Sequence, residues 1–281
     1  MNITAFRLTK LFAFSGCLYL LSIIPASAET YTVGVVPQQA PAVLARNWTP
    51  LLQYLHKVTG IELLFKTAPS IPEFEQRLAK GEYHFAYMNP YHYVIFSKTE
   101  GYQALAKEKD TRLQGVVVVR TDSPITDISQ LAGLDLAFPA PASFAASVLP
   151  RMQLHKQGIS YTPHFVTSHD SVYYSVVRGI YPAGGGVVRT LEAAPADIRK
   201  QLRVLWRTDS FTPHAFASHS KTPEAVLQKL ATAMYNMDQD PTAKDILQHL
   251  TIRGWQPAQD QDWDDLRKLP LDEQTAPVQK H

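Results

Sequence analysis

Residues 134–158 read LDLAFPAPASFAASVLPRMQLHKQG, and they contain the unit from which the rest of the fold can be built. An apolar run at 134–138 has the length and composition of a strand. A link of prolines and alanines follows, and apolar residues then recur at helical spacing through 143–157 until Gly158 stops them. Ser143 stands where a helix N-cap belongs. The N–H groups of Phe144, Ala145 and Ala146 would then be free at the positive end of the helix. Such a terminus takes a phosphate-like anion without any cationic side chain, although plain capping accounts for Ser143 equally well.

The same strand, loop and helix recur in both directions. Upstream, a strand at 31–36 is stopped by Pro37, and a helix within 41–58 places Leu44, Trp48, Leu51, Leu52 and Leu55 on one face before Gly60. Strands are expected at 61–65, 85–88 and 103–107, with helices at 71–80 and 91–98. The valines at 116–119 read as a strand buried on both faces. A short helix at 128–132 ends at Gly133. Downstream come a strand at 164–166, a helix at 168–178 ended by Gly179, a short strand before Gly184-Gly185-Gly186, and a strand at 202–206. Helices at 223–237 and 241–250 follow. Alternation of this kind implies an α/β protein with mainly parallel sheets flanked by helices. The number of units calls for two sheets, and the late switch to helix indicates a chain that returns to an earlier lobe. Crossings are expected near 119–123 and 208–213. Lobe one would then be 29–119 plus 213–281 and lobe two 120–212, with a ligand cleft between them where strand ends meet helix N-termini.

The N-terminus has the anatomy of a secretory leader. Arg7 and Lys10 precede an apolar run at 11–24, and Pro25-Ala26-Ser27-Ala28 supplies an A-x-A site, so cleavage is expected after Ala28. The run is shorter than the about 20 residues of a membrane span. The rival reading uses Cys17 for lipid attachment. Loss of 1–28 removes two of the 27 basic side chains and leaves 25 of each sign, so no basic surface for nucleic acid or membrane is indicated. Cys17 is the only cysteine, which leaves the exported chain without disulfides, thiolate metal ligands or a thiol nucleophile. The tail at 275–281 is polar and expected to fray. The chain is expected in the periplasm as a monomer.

Four loops at strand ends are candidates for chemistry. Gln38 and Gln39 after the first strand either form an ordinary polar loop or reach into the cleft. The run Tyr87-Met88-Asn89-Pro90-Tyr91-His92-Tyr93 mixes aromatics with an amide and an imidazole, as a small-ligand pocket does, while Asn89 also suits an N-cap with Pro90 behind it. Ser143 opens the third. In the fourth region, His169 begins a helix, and the triple glycine lets backbone approach a ligand. No Gly-Lys-Ser/Thr follows, so this is not a P-loop. Thr190 can cap the next helix. Ser143, His169 and Asp170 or Asp209 could be assembled into a triad, but no G-x-S-x-G elbow is present and no histidine pair has H-E-x-x-H spacing. An enzyme is not expected.

Taken in order, these segments resemble the phosphate/phosphite/phosphonate-binding family of ABC-transporter periplasmic solute-binding proteins, with their type II two-lobed fold. The likeness runs through the strand ending in Pro37, residues 81–93, Leu131-Ala132-Gly133, residues 138–150, His169, residues 179–184 and Pro213. It implies capture of a small anion such as phosphate, phosphite or a phosphonate, delivery to an inner-membrane permease or reporting to a sensor kinase, and no cofactor. The resemblance implies Ser143, Phe144, Ala145 and His169 of lobe two as site residues, and the loop readings add Gln38, Asn89 and Tyr91 from lobe one and His214 after the return. Ser143-Phe144-Ala145-Ala146 matches the family's hydroxyl-rich segment but keeps only one hydroxyl, a loss of about 0.5–1.5 kcal/mol for each missing donor. Pro182 stands where the family has an acidic residue able to receive a ligand amine.

Overall fold

The computed structural model describes residues 29–270, so the leader, Cys17 and the tail at 275–281 lie outside the described residues. The chain opens with β1 (Thr30–Val35), α1 (Pro41–Thr59), β2 (Glu62–Lys66), α2 (Ile71–Ala79), β3 (Phe85–Met88), α3 (Pro90–Thr99) and β4 (Tyr102–Glu108). The apolar face expected of α1 is the one it buries, and Gly60 at φ 70° turns the chain out of the helix. Ser70 accepts a hydrogen bond from the Glu73 N–H and starts α2, with proline in the first turn. Asn89 starts α3 in the same way, accepting from the His92 N–H at 2.9 Å.

The next strand, β5 (Leu113–Arg120), belongs to a second sheet with β6 (Asp135–Phe138), β7 (Thr162–Phe165), β8 (Ala183–Val187) and β9 (Leu202–Phe211). Between them lie a π-helical turn at Phe144–Val148 that runs into α4 (Leu149–Lys156), then α5 (His169–Val177), α6 (Val188–Glu192) and α7 (Ala196–Arg199). The chain then returns through β10 (Ala215–His219), α8 (Glu224–Tyr235), α9 (Lys244–His249), β11 (Trp255–Pro257) and α10 (Asp264–Arg267). The first sheet has the order β11-β4-β10-β3-β1-β2 and the second β7-β6-β8-β5-β9.

Two flanked sheets are as expected, but their pairing is mixed, which corrects the expectation of mainly parallel strands. In the first sheet β2, β1 and β3 are parallel, while β10 and β11 run antiparallel to their neighbours. In the second, β7, β6 and β8 are parallel and β5 is antiparallel to both β8 and β9. The antiparallel strands flank the crossings, where the chain leaves one sheet and comes back to it. The outward crossing lies at 109–112, earlier than the expected 119–123, because the valine run belongs to the second sheet. The return lies at 212–214.

Burial on both faces of β5 is confirmed by the alternation of its valines. Val116 and Val118 pack with Val172, Tyr173 and Val176, whereas Val117 and Val119 pack with Leu131, Leu136 and Leu154. Each such side chain contributes about 1.5–3 kcal/mol when fully buried. The core of the first sheet does not stop at its own strands. It continues through Phe144, Val187 and Phe211 of the second half, so apolar packing is continuous across the two.

The triple glycine lies within strand β8, which corrects the expectation of a short strand ending before it. A Cβ at Gly185 would lie 1.8 Å from the carbonyl oxygen of Ala146, and one at Gly115 would lie 1.9 Å from that of Ala145. These two glycines therefore let the first turn of the 144–156 helix rest its backbone directly on the sheet.

Candidate functional site

The start of that helix is the centre of the candidate site. Its first hydrogen bond runs from the Ser147 N–H to the Ser143 carbonyl at 2.7 Å, and the Val148 N–H shares the same acceptor at 3.1 Å. The N–H groups of Phe144, Ala145 and Ala146 thus have no partner inside the helix. Ser143 is at the N-cap position but makes no side-chain capping bond, contrary to expectation. Its Oγ lies 3.3 Å from His169 Nε2 instead.

His169 is fully buried at the first position of α5. The strand-to-helix corner before it contains Thr167 at φ 76°, a left-handed conformation unfavourable for a β-branched residue, and Ser168 then caps α5 through the Ser171 N–H. The His169 Nδ1 meets Thr190 Oγ1 at 3.0 Å, and Thr190 in turn meets the Tyr173 hydroxyl at 2.7 Å and donates to the Val187 carbonyl. Ser143, His169, Thr190 and Tyr173 therefore form one buried chain of hydrogen bonds. Burial pushes the His169 imidazole down to about 3, so it is neutral at pH 7.

The first half faces this chain with His214 and Asn89. His214 stacks on Tyr87 with ring centroids 4.9 Å apart, and both of its ring nitrogens are buried without a hydrogen-bond partner. Burial drives its pKa well down, and the nearby charge of Arg189 and the His92 and His169 rings add to the effect. The Asn89 amide donates across to the Ala142 carbonyl at 3.1 Å and meets His92 Nε2, which also meets Glu75 Oε1 at 2.9 Å.

The sequence-derived residues are thus placed unequally. Ser143, His169 and Asn89 lie at the meeting of the two halves, and His214 stacks on Tyr87, whose hydroxyl accepts from Arg189. Gln38 accepts the His169 N–H through its carbonyl at 3.1 Å. It also lines a narrow cleft of about 60 Å³ with Gln39, Trp48, Tyr87, Arg189 and Thr190. The Phe144 side chain packs edge-on against Phe211 at 5.4 Å within the core, leaving only its N–H for a ligand. Ala145 likewise offers only its N–H. Tyr91 is buried and, among the described residues, shares no hydrogen bond with the others. A larger groove of about 590 Å³ between α1 and α8 contains none of these residues.

Sequence reasoning missed Tyr87 as a polar member, and with it Glu108 and Arg189. The Arg189 Nη2 donates to both oxygens of Glu108 at 2.8 and 2.9 Å, and Nη1 donates to the Tyr87 hydroxyl at 3.0 Å. The Tyr87 hydroxyl itself donates to Glu108 Oε1. The Glu108 side chain has no exposure, whereas that of Arg189 is a quarter exposed. The only sequence signal was an arginine inside the small apolar stretch 183–191, and nothing pointed to a partner 81 residues away.

The family model described as ABC transporter, phosphonate, periplasmic substrate-binding protein matches residues 33–263. The chain belongs to this phosphonate-binding family. A curated relative, the phosphate-import protein PhnD of Mycolicibacterium smegmatis, is 23% identical over 226 residues, 73% of this chain and 70% of that one. Among solved structures, PhnD1 of Prochlorococcus marinus in complex with methylphosphonate is similar with a TM-score of 0.77 and 17% identity, covering 85% of this chain and 96% of its own. A binding protein component of an ABC phosphonate transporter from Pseudomonas aeruginosa gives 0.78 and 14%, covering 85% and 84%. The type II periplasmic binding fold and the role of substrate-binding component follow from this membership. Members work with an ABC permease at the periplasmic face. Among the described residues no helix is long and apolar enough to cross a membrane, and no group of three or more His, Cys, Asp or Glu is placed to hold a metal ion.

Proposed function

We propose that this family member captures a small oxyanion without an amine, such as phosphate, phosphite or a simple alkylphosphonate, and hands it unaltered to its permease. The observation that carries the reading is the buried Ser143–His169–Thr190 chain beside the three free N–H groups of the 144–156 helix. A helix terminus of this kind favours an anion through oriented N–H groups and the helix dipole. Neutral His169 refines it. With the proton on Nε2, the ring donates to Ser143 Oγ, and the Thr190 hydroxyl leaves the Val187 carbonyl to the Tyr173 hydroxyl and donates to Nδ1 instead. The Ser143 hydroxyl is then free to donate to the ligand. His214, with two unpartnered ring nitrogens, has one donor and one acceptor to offer from the opposite half. Pro182 supplies no carboxylate, so an aminoalkyl substituent has no partner there.

The lobes we infer follow the crossings, 29–108 with 215–270 and 113–211. A single leader cleavage after Ala28 and a monomeric exported protein complete the reading.

Thermal unfolding in phosphate, phosphite, methylphosphonate, 2-aminoethylphosphonate and sulfate tests it. A ligand at 100 times its dissociation constant adds about 2.7 kcal/mol, a rise of several degrees. Methylphosphonate or a smaller phosphorus oxyanion should raise the midpoint more than 2-aminoethylphosphonate. Loss of the rise in Ser143→Ala and His169→Ala would place the ligand at this chain. A rise with the amine alone, or no rise with any oxyanion, would overturn the reading.

A further inference from the structure

We propose that Tyr87, Glu108 and Arg189 are positioning residues that form a clasp, holding the two halves together so that the Ser143–His169 chain and the Asn89–His214 wall share one site. Glu108 is the last residue of β4 in the first sheet, and Tyr87 lies in β3 of the same sheet, separated from β4 by β10. Arg189 comes from α6, which follows β8 of the second sheet. Every contact of the clasp therefore crosses from one half to the other or prepares an acceptor for one that does. Among the described residues, other polar links across the cleft are the His169 N–H to the Gln38 carbonyl, the Asn89 amide to the Ala142 carbonyl and the Ala40 N–H to Asp170 Oδ2. None of these pairs a cation with an anion, and among the described residues only the clasp joins opposite charges across the cleft with the carboxylate wholly enclosed.

Enclosure makes the device two-state. A carboxylate taken out of water is tolerable only with its cation in place, and it is strongly unfavourable once that cation is removed. Opening the cleft offers the other solution, since water can then solvate both groups. The pair is satisfied when the halves are shut or when they are well apart, and poorly between. Removing one charge should shift the balance toward the open form. Neutralising both should return it toward the shut form, because two amides can be enclosed together. Apparent ligand affinity falls with the fraction of molecules in the binding-competent form.

The exposed residues Val58, in the first half, and Ile180, in the second, offer sites for a dye pair after substitution with cysteine in a Cys17→Ser background of the full chain. Energy transfer is read without ligand and with methylphosphonate. Arg189→Gln should displace the transfer efficiency from the wild-type value, Arg189→Lys by less, and Glu108→Gln with Arg189→Gln together should return it toward wild type. If the capture proposed above is right, methylphosphonate should bind Arg189→Gln about tenfold or more weakly, with the double variant recovering part of the loss. Wild-type transfer in Arg189→Gln, or a double variant displaced as far as the single one, would overturn the clasp. Failure of every protein to bind methylphosphonate would count against the capture reading, and the transfer measurement would still decide the clasp.

Discussion

Ser143 shows how one residue type can serve two purposes from one position. A serine before a helix commonly accepts from the second or third N–H, yet here its hydroxyl turns to His169 and leaves the N–H groups open. Truncating His169 therefore leaves the buried Ser143 hydroxyl without its partner, while Thr190 keeps the Tyr173 hydroxyl and the Val187 carbonyl. His169→Ala should lower stability by about 1–3 kcal/mol in urea unfolding. The same imidazole predicts a pH dependence. Its folded pKa of about 3 lies below the ordinary value of 6.5, so the unfolded chain takes up a proton that the folded one refuses. Stability is then complete above pH 6.5 and falls as the pH drops toward 3. Between pH 7 and pH 5 His169 alone should remove about 2 kcal/mol. His169→Asn should flatten the wild-type decline over this interval by that amount, and an unchanged slope would mean the imidazole is accessible to protons in the folded state. Phe144 stands in the segment that resembles the family's hydroxyl-rich one, yet its side chain belongs to the core. It fills space against Phe211, and Phe144→Ala should cost about 3–5 kcal/mol by calorimetry whatever it does to the ligand.

At the scale of elements, the helix at 144–156 is positioned as much by its neighbours as by its own residues. Gly115 and Gly185 belong to strands far from it in sequence, and their lack of side chains sets its height over the sheet. Gly185→Ala should push the helix start outward, lower stability by about 1–3 kcal/mol and weaken oxyanion binding. Gly158→Ala, at φ 67° with open space around it, should cost about 1 kcal/mol and leave binding unchanged. Equal loss of binding in both would show that the effect is general destabilisation. This dependence on distant strands also explains what the sequence concealed. Strands such as β3 and helices such as α1 and α3 are written in local patterns and caps, and they fall within a residue or two of expectation. The π-helical turn at Phe144–Val148 is not, because no spacing announces an i to i+5 bond. β10 and β11 are five and three residues long and owe their pairing to β4, over a hundred residues earlier. Ser143, His169 and Asn89 were legible as loop residues at strand ends. Glu108 and Arg189 were not singled out, since pairing across a cleft leaves no local trace in the sequence.

For the molecule as a whole, the continuous core through Phe144, Val187 and Phe211 ties the fate of the two halves together. Differential scanning calorimetry should record one unfolding transition, and two resolved transitions would show that each sheet folds as a separate unit. The route by which the chain passes between the sheets adds a mechanical point. β4 and β10 are neighbours in the first sheet, β5 and β9 are neighbours in the second, and Leu113 pairs with Phe211 just beyond the crossings. Arg112 spans them, donating to the Ser210 carbonyl and to Asp265, which also accepts the Thr212 N–H. The two connections therefore run side by side as a single ribbon. A ribbon of this kind bends readily about one axis and resists twisting, as the spine of a book does. Any opening of the two halves should therefore follow one arc, and the two pages should meet in the same register when they shut.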